Sequence, residues 1–374
     1  MAEGYVFTSA TDVNDLLNQI VSQAAVHGWT QHRLDGLGGG LYGSGRRGHF
    51  SKDGVVVNLA SYAVNASSQA VENEMLNAVL PSADRAFSES TYQWWYQSGA
   101  NNHTPDILCI NASTGYDGGE NWYRQPGSDC QAGATNQGRF STLRAKGAIG
   151  KVYMFFLENP AAFYVVCEVR PGEFYWLTAG KIDKDYEFPG GQFYGAPVGD
   201  TNTTTTFPND LDVVQVRFDP TLDVVASRGN GWGASVIPSP AQREGSSSNT
   251  LSSPDRIPSY FTFYYLSLNL LSDVQNRGYD AATGRLWIHP PYVYAIRPNA
   301  SRSYAGVLPH VHYCTTENFV GADIVTIGGQ EYMVFPANWR ASPYRNDLST
   351  DNSPGFPWYR NNCYGSGFAI RKPS

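Results

Sequence analysis

Charge is scarce in this chain of 374 residues: Asp, Glu, Lys and Arg together make up 16%, against about a quarter in an ordinary globular domain. What charge there is leans acidic, with a net −7 at pH 7. A protein that holds nucleic acid through its phosphates presents a basic surface, so nucleic acid is not an expected partner. Long apolar runs are missing as well. The longest candidate, Tyr260 to Leu271, contains Ser267 and Asn269 and falls short of the roughly 18–20 apolar residues a membrane helix needs. The first residues, Met1-Ala2-Glu3-Gly4, lack a positive region followed by an apolar stretch, the pattern of a secretory leader. The expectation is a soluble protein made in the cytoplasm, not exported through Sec, with no membrane partner.

Paired cysteines are also lacking. Cys109, Cys130, Cys167, Cys314 and Cys363 are scattered, odd in number and free of any CxxC spacing. That usage reads as buried free thiols in a reducing compartment, with a Cys109–Cys130 bridge after release from the cell as the alternative. Signatures of nucleophilic catalysis are missing: there is no GxSxG, and no Ser/His/Asp arrangement stands out. The run Gly36-Leu37-Gly38-Gly39-Gly40-Leu41-Tyr42-Gly43-Ser44-Gly45-Arg46-Arg47 looks superficially like a phosphate loop. It lacks GxxxxGK[ST] and no capped helix follows, so the helix end that would load an anion is missing. It reads as a flexible turn carrying two basic residues.

What the chain has in quantity is aromatic side chains (14%, with 24 Tyr), 38 Gly and 22 Pro. Much Gly and Tyr with little Lys or Glu disfavours helices and favours short strands joined by turns. One helix is expected, over Thr11 to His27. Thr11 or Asp12 caps it, Val13, Leu16, Leu17, Ile20, Val21 and Ala24 make an apolar face, and Gly28 stops it. Asp53-Gly54 between β-rich flanks predicts a hairpin, so the chain is expected to open as helix, strand, hairpin. A second hairpin is predicted around Arg170-Pro171-Gly172-Glu173, after Val152, Met154 and Phe156 alternate with Tyr153 and Phe155. Glu168 and Glu173, at its ends, read as solvated positions. Further strands are expected over Leu211–Phe218, Trp287–Ile296, Val307–Tyr313 and Asp323–Ile327, the second at an edge because prolines lead into it. Thr201–Pro208 and Pro238–Pro258 read as loops. The predicted fold is mainly β: an antiparallel sandwich or barrel-like sheets with one short N-terminal helix and long loops. Its expected divisions are 1–200, a variable insertion over 201–285, and a C-terminal β region over 286–374 that packs back on the first.

Few residues invite a chemical reading. His310-Val311-His312 puts two imidazoles on one face of the expected strand, with His289 and Asp323 as further ligand candidates. A structural zinc site needs four convergent ligands and a catalytic one three, so hydrogen-bonded strand histidines are the expected reading. Asp117-Gly118-Gly119-Glu120 followed by Asn121-Trp122-Tyr123 offers two carboxylates beside aromatics, the elements of a glycosidase. An acidic loop has the same composition. Tyr92-Gln93-Trp94-Trp95-Tyr96 and Trp358-Tyr359 suit core packing, subunit contact or sugar stacking. No catalytic, cofactor-binding or metal-binding residue is assigned from these.

The order of these elements carries a resemblance. It runs from the capped helix ending in Gly28-Trp29, through the Phe50 to Leu59 hairpin, Asn121-Trp122, Gln125-Pro126-Gly127 and the Val152-to-Thr178 hairpin. It continues with Gly180-Lys181-Ile182 and Gly190-Gly191-Gln192-Phe193. It closes with Gly328-Gly329-Gln330-Glu331-Tyr332-Met333-Val334-Phe335-Pro336 and Gly367-Phe368-Ala369-Ile370-Arg371-Lys372. This order resembles a family of tailed-bacteriophage virion structural proteins, encoded among head, neck and tail genes. Residues Thr201 to Ala282 fall outside the likeness. Tyr175-Trp176-Leu177 stands where the family usually carries a His or other polar residue. The resemblance implies a non-enzymatic virion protein, assembled in the host cytoplasm as an oligomeric ring at the neck, collar or tail. Its implied partners are copies of itself and the connector, tail tube, sheath or baseplate, with no cofactor. A ring repeats a heterologous contact around an axis, for which strand edges and long loops are the obvious places. The alternatives are a carbohydrate- or receptor-binding baseplate or fibre decoration and, behind it, a hydrolase using Asp117, Glu120 or the His310/His312 pair.

Overall fold

A computed structural model describes residues 3–37, 45–62, 106–128, 141–145, 147–196, 213–218, 232–236, 288–296, 302–315, 319–336 and 366–373. Over these residues the chain is mainly β, with one helix and several antiparallel sheets. The N-terminal elements are β1 (Gly4–Ala10), α1 (Val13–Val26), β2 (Thr30–Gly36), β3 (Arg46–Lys52), β4 (Val55–Tyr62), β5 (Asp106–Ser113) and β6 (Ser141–Ala145). The middle of the chain gives β7 (Ile149–Leu157), β8 (Ala162–Arg170), β9 (Glu173–Lys181), β10 (Asp183–Lys184), β11 (Gly190–Gly195), β12 (Val213–Phe218) and β13 (Trp232–Val236). The last part gives β14 (Ile288–His289), β15 (Tyr292–Ile296), β16 (Arg302–Val307), β17 (Val311–Thr315), β18 (Asp323–Ile327), β19 (Gln330–Pro336) and β20 (Ser366–Arg371).

A seven-stranded sheet, ordered β1-β7-β8-β9-β11-β12-β13, forms the middle layer. Successive side chains of a strand point to opposite faces, and in the central strands both sets are buried over Val152–Leu157 and Ala162–Cys167. Val152, Met154, Phe156, Phe163 and Val165 enter one core with α1 and the five-stranded sheet β2-β3-β4-β5-β6. Tyr153, Phe155, Tyr164, Val166 and Phe193 enter a second core with Val293, Ala305, Val311, Met333, Phe335 and Ile370. Those partners come from the three-stranded sheet β10-β16-β15 and the five-stranded sheet β14-β17-β20-β19-β18. The alternation of Val152, Met154 and Phe156 with Tyr153 and Phe155 therefore divides two cores. Burial on both faces also explains why Val152–Leu157 and Ala162–Cys167 are apolar without interruption.

The helix follows from its sequence. Asp12 Oδ1 accepts from the backbone N–H of Asn14 and Asp15, each at 2.8 Å. Asp15 Oδ2 reaches back to the Thr11 N–H at 2.9 Å, which closes a reciprocal cap. Gly28, at φ 81, ends the helix as a left-handed residue does most cheaply when it is glycine. Val13, Leu16, Leu17, Ile20, Val21 and Ala24 are all 0% exposed. Gly48 of β3 lets the helix sit close: a Cβ there would come within 2.5 Å of Val21 Cγ2.

Several expectations are corrected. The chain opens with a strand, β1, ahead of the helix, and β1 pairs with β7 of the middle sheet. Trp287–Ile296 is not one strand. β14 pairs with β17, β15 pairs with β16, and Pro290-Pro291 carries the chain from one sheet to the other. Proline cannot donate to a ladder, so the pair is a natural crossing point, and both pieces lie at sheet edges. Val307–Tyr313 is likewise two strands, broken at Leu308-Pro309-His310, with His310 left-handed at φ 63. Thr201–Pro208, Pro238–Pro258, Tyr92–Tyr96 and Trp358-Tyr359 lie outside the described residues.

Candidate functional site

Two polar assemblies stand out, one on each outer layer. The first lies on the face of β2–β5 that points away from the core. In β4, Val55, Val57 and Leu59 point inward, so Asn58 points outward. It is nonetheless 0% exposed, as are Asn111 and Ser113 on β5. Asn58 Nδ2 donates to Asn111 Oδ1 at 2.9 Å and to Ser113 Oγ at 3.0 Å. Its Oδ1 is left to accept, so His49 Nδ1, 2.8 Å away, carries the proton. The ring is 1% exposed. Burial pushes its pKa down to about 4, the Arg47 and Arg33 charges add to the depression, and the Asn58 hydrogen bond opposes it. His49 is therefore a neutral imidazole of fixed tautomer.

The segment 114–128 covers this face. Asn111 Nδ2 donates to Tyr123 O at 3.0 Å, and Ser128 Oγ donates to the same carbonyl at 3.0 Å. Gln125, fully buried, accepts from Asp117 N at 2.7 Å and donates to Asp117 O at 3.1 Å and Asn121 O at 3.0 Å. At the rim Tyr116 stacks on His32, ring centroids 4.7 Å apart, and tilts against His49 at 5.2 Å. Arg33 Nε and Arg47 Nε both donate to Asp35, at 2.8 and 2.7 Å, and Arg33 also reaches Gly118 O at 3.0 Å. Burial would raise the Asp35 carboxyl, but the hydrogen bonds from Arg47 and Arg33 outweigh it and hold it below its ordinary range.

The second assembly joins the middle sheet to the last one. Arg371 grips Glu3 with both terminal nitrogens, Nη1 to Oε2 at 2.9 Å and Nη2 to Oε1. Its Nε donates to His310 Nδ1 at 3.2 Å. His310 Nε2 lies 2.9 Å from Pro160 O, a carbonyl that can only accept, so the proton sits on Nε2. Tyr164 Oη donates to Pro309 O at 2.6 Å beside it. Glu3 Oε1 also accepts from Glu158 N at 3.0 Å, and Glu158 pairs with Lys52 of β3. Burial opposes the Glu3 carboxylate, but Arg371 and the Glu158 amide outweigh it and hold its pKa below the usual range. Burial and then the Arg371 charge push His310 down, against the pull of Pro160 O, Glu3 and Asp183.

The residues singled out from the sequence are dispersed between these assemblies. His310 and His312 take different partners: His310 joins the Arg371 assembly, and His312 packs edge-on against Tyr332 with centroids 5.0 Å apart. The left-handed turn at His310 takes it out of the alternation of β17. His289 pairs through its backbone with Tyr313. Asp323 Oδ2 caps a turn by accepting from Val320 N at 2.8 Å. Among the described residues no group of three or more His, Cys, Asp or Glu is gathered as a metal site would need. Asp117 Oδ1 closes its own turn on Gly119 N at 2.8 Å, and Glu120 is exposed. Trp122, 3% exposed, packs edge-on against Tyr123 and offers no open stacking face. Glu168 is not a solvated position: its side chain is 11% exposed, bonded to Lys151 at 2.7 Å and to Gly172 N at 2.8 Å. Cys109, Cys167 and Cys314 are buried. Burial raises the Cys167 thiol and pushes Cys314 up to about 12, well away from thiolate reactivity. Cys130 and Cys363 lie outside the described residues.

Sequence reasoning passed over His49, Asn58, Asn111, Glu3 and Arg371. A signal existed for one of them: Asn58 interrupts the apolar run Val55–Ala60, and a polar side chain in a buried strand needs a partner. No protein-family model and no curated protein matches the chain.

Proposed function

We propose that the chain is a non-enzymatic structural subunit of a tailed-phage particle, forming an oligomeric ring at the neck, collar or tail and contacting connector, tube or sheath. The observation that carries this reading is a pair of strand edges bearing exposed apolar side chains. Among the described residues β1 ends the middle sheet with Phe7 57% exposed, and β18 ends the last sheet with Ile324 44% exposed beside Val320 at 74%. Large apolar groups on a sheet edge invite strand or surface contact from another chain. The ordered sequence motifs supply the particle context. The polar residues first considered for chemistry also support the reading, because they are spent on shape. His310 holds a turn, Asp117 closes one, and Trp122 is buried under the cover of the first layer.

Particles assembled without this protein test the proposal by electron microscopy. Defective necks or tails are expected, and intact infectious tails with normal necks would overturn it. The glycan-binding alternative gains no support from Trp122, whose replacement by Ala should weaken the fold before it alters any sugar contact.

A further inference from the structure

We propose that the His310 turn is a proton-operated clasp that holds the last sheet against the middle one and lets go on mild acidification. The clasp is built from both nitrogens of one ring. Nε2–H donates to Pro160 O on the middle sheet, and Nδ1 accepts from Arg371 Nε on β20. Only the neutral Nε2–H tautomer satisfies both. A proton added at Nδ1 turns the acceptor into a donor aimed at a guanidinium, which can only donate. That bond is lost and two positive groups face each other at hydrogen-bond distance. Arg371 is also the residue that grips Glu3, so the displaced guanidinium takes the second tie between the layers with it.

Among the described residues the charged groups around the ring come from three places: Arg371 from β20, Glu3 ahead of β1, and Asp183 from β10. Burial and Arg371 favour the neutral ring, while the two carboxylates favour the charged one. The folded protein thus binds the His310 proton less readily than the unfolded chain. The contribution is complete above the ordinary histidine value and declines as pH falls below it. Glu3, whose pKa is lowered, keeps its charge until more acidic conditions. The mild step therefore belongs to histidine.

The test is amide hydrogen exchange on the full chain at pH 7.5 and 5.5, corrected for intrinsic rates. Exchange in β17 and β20 should rise severalfold on acidification, relative to β7 and β8. In His310→Gln, which cannot titrate, the ratio should not change with pH. An equal rise in all sheets, or a His310→Gln protein that follows the wild type, would overturn the proposal. Imidazole nitrogen chemical shifts of the unmutated protein give a readout independent of any variant. Nε2–H at pH 7.5, titrating together with the exchange change, is expected. An Nδ1–H tautomer, or exchange that changes without the ring, would sink the clasp.

Discussion

The central strands of the middle sheet bury apolar side chains on both faces, and the two faces meet different kinds of neighbour. One face is covered by α1 and β2–β6, drawn from the first 145 residues of the chain. The other is covered by short strands from residues 183 to 371. The first neighbour contains a capped helix and the tight β3–β4 hairpin, whose geometry is locally encoded. The second is assembled from segments that turn away from one sheet into another at Pro290-Pro291 and at Pro309-His310. Each is tied down by its own polar assembly with a neutral histidine at its heart. His49 works within one layer, and His310 works between two. The comparison teaches that both layers combine tight hairpins with long-range ties, and that the second adds a histidine that bridges two layers.

Removing one ring from each core gives the strongest test. Phe163 packs edge-on against Trp29 and Phe50, and Phe335 meets Tyr153, Phe155 and Phe174. Alanine at either site should cost about 3–5 kcal/mol by denaturant unfolding. Phe163→Ala should raise exchange across α1, whereas Phe335→Ala should raise it first in β17–β20. Equal patterns from the two variants would erase the distinction between the cores.

Acidification comes next. His49 is held neutral in the fold with its pKa near 4, against 6.5 for the free group. The unfolded chain binds that proton first, so stability is complete above about pH 6.5 and falls as pH drops toward 4. The loss attributable to His49 is on the order of 3 kcal/mol. Unfolding free energy measured across this range in wild type and His49→Gln checks it, because the variant should show a shallower decline. The smallest effect is expected at the helix start. Asp12→Ala removes the cap of α1 and should cost about 1 kcal/mol, with loss of protection limited to the first turn of the helix.

Local chemistry made part of this legible in advance. The helix was readable because its period, cap and stop agree, and the Asp53-Gly54 and Pro171-Gly172 turns because they have few other uses. β1 was missed because Tyr5, Val6 and Phe7 lack a partner nearby in sequence; their ladder is with β7, roughly 150 residues on. β5 was missed because Asn111 and Ser113 make its second half part polar, and their burial comes only when segment 114–128 folds over them. The candidate site was less legible still. An HxH pair suggested shared ligands, but a left-handed His310 separates the rings. The carboxylates of Asp117 and Glu120 shape a turn, while the buried histidine, His49, lay unremarked in a strand.

Periodicity, turn residues and capping are short-range properties, and they suffice for a mainly β chain with one capped helix and antiparallel hairpins. Long-range packing places the most apolar strands between two cores, lets Pro290-Pro291 switch the chain between sheets, and brings Glu3 to Arg371 across almost the whole length of the chain. Those outcomes depend on which surfaces find each other, and an apolar or charged residue carries no label for a partner hundreds of positions away.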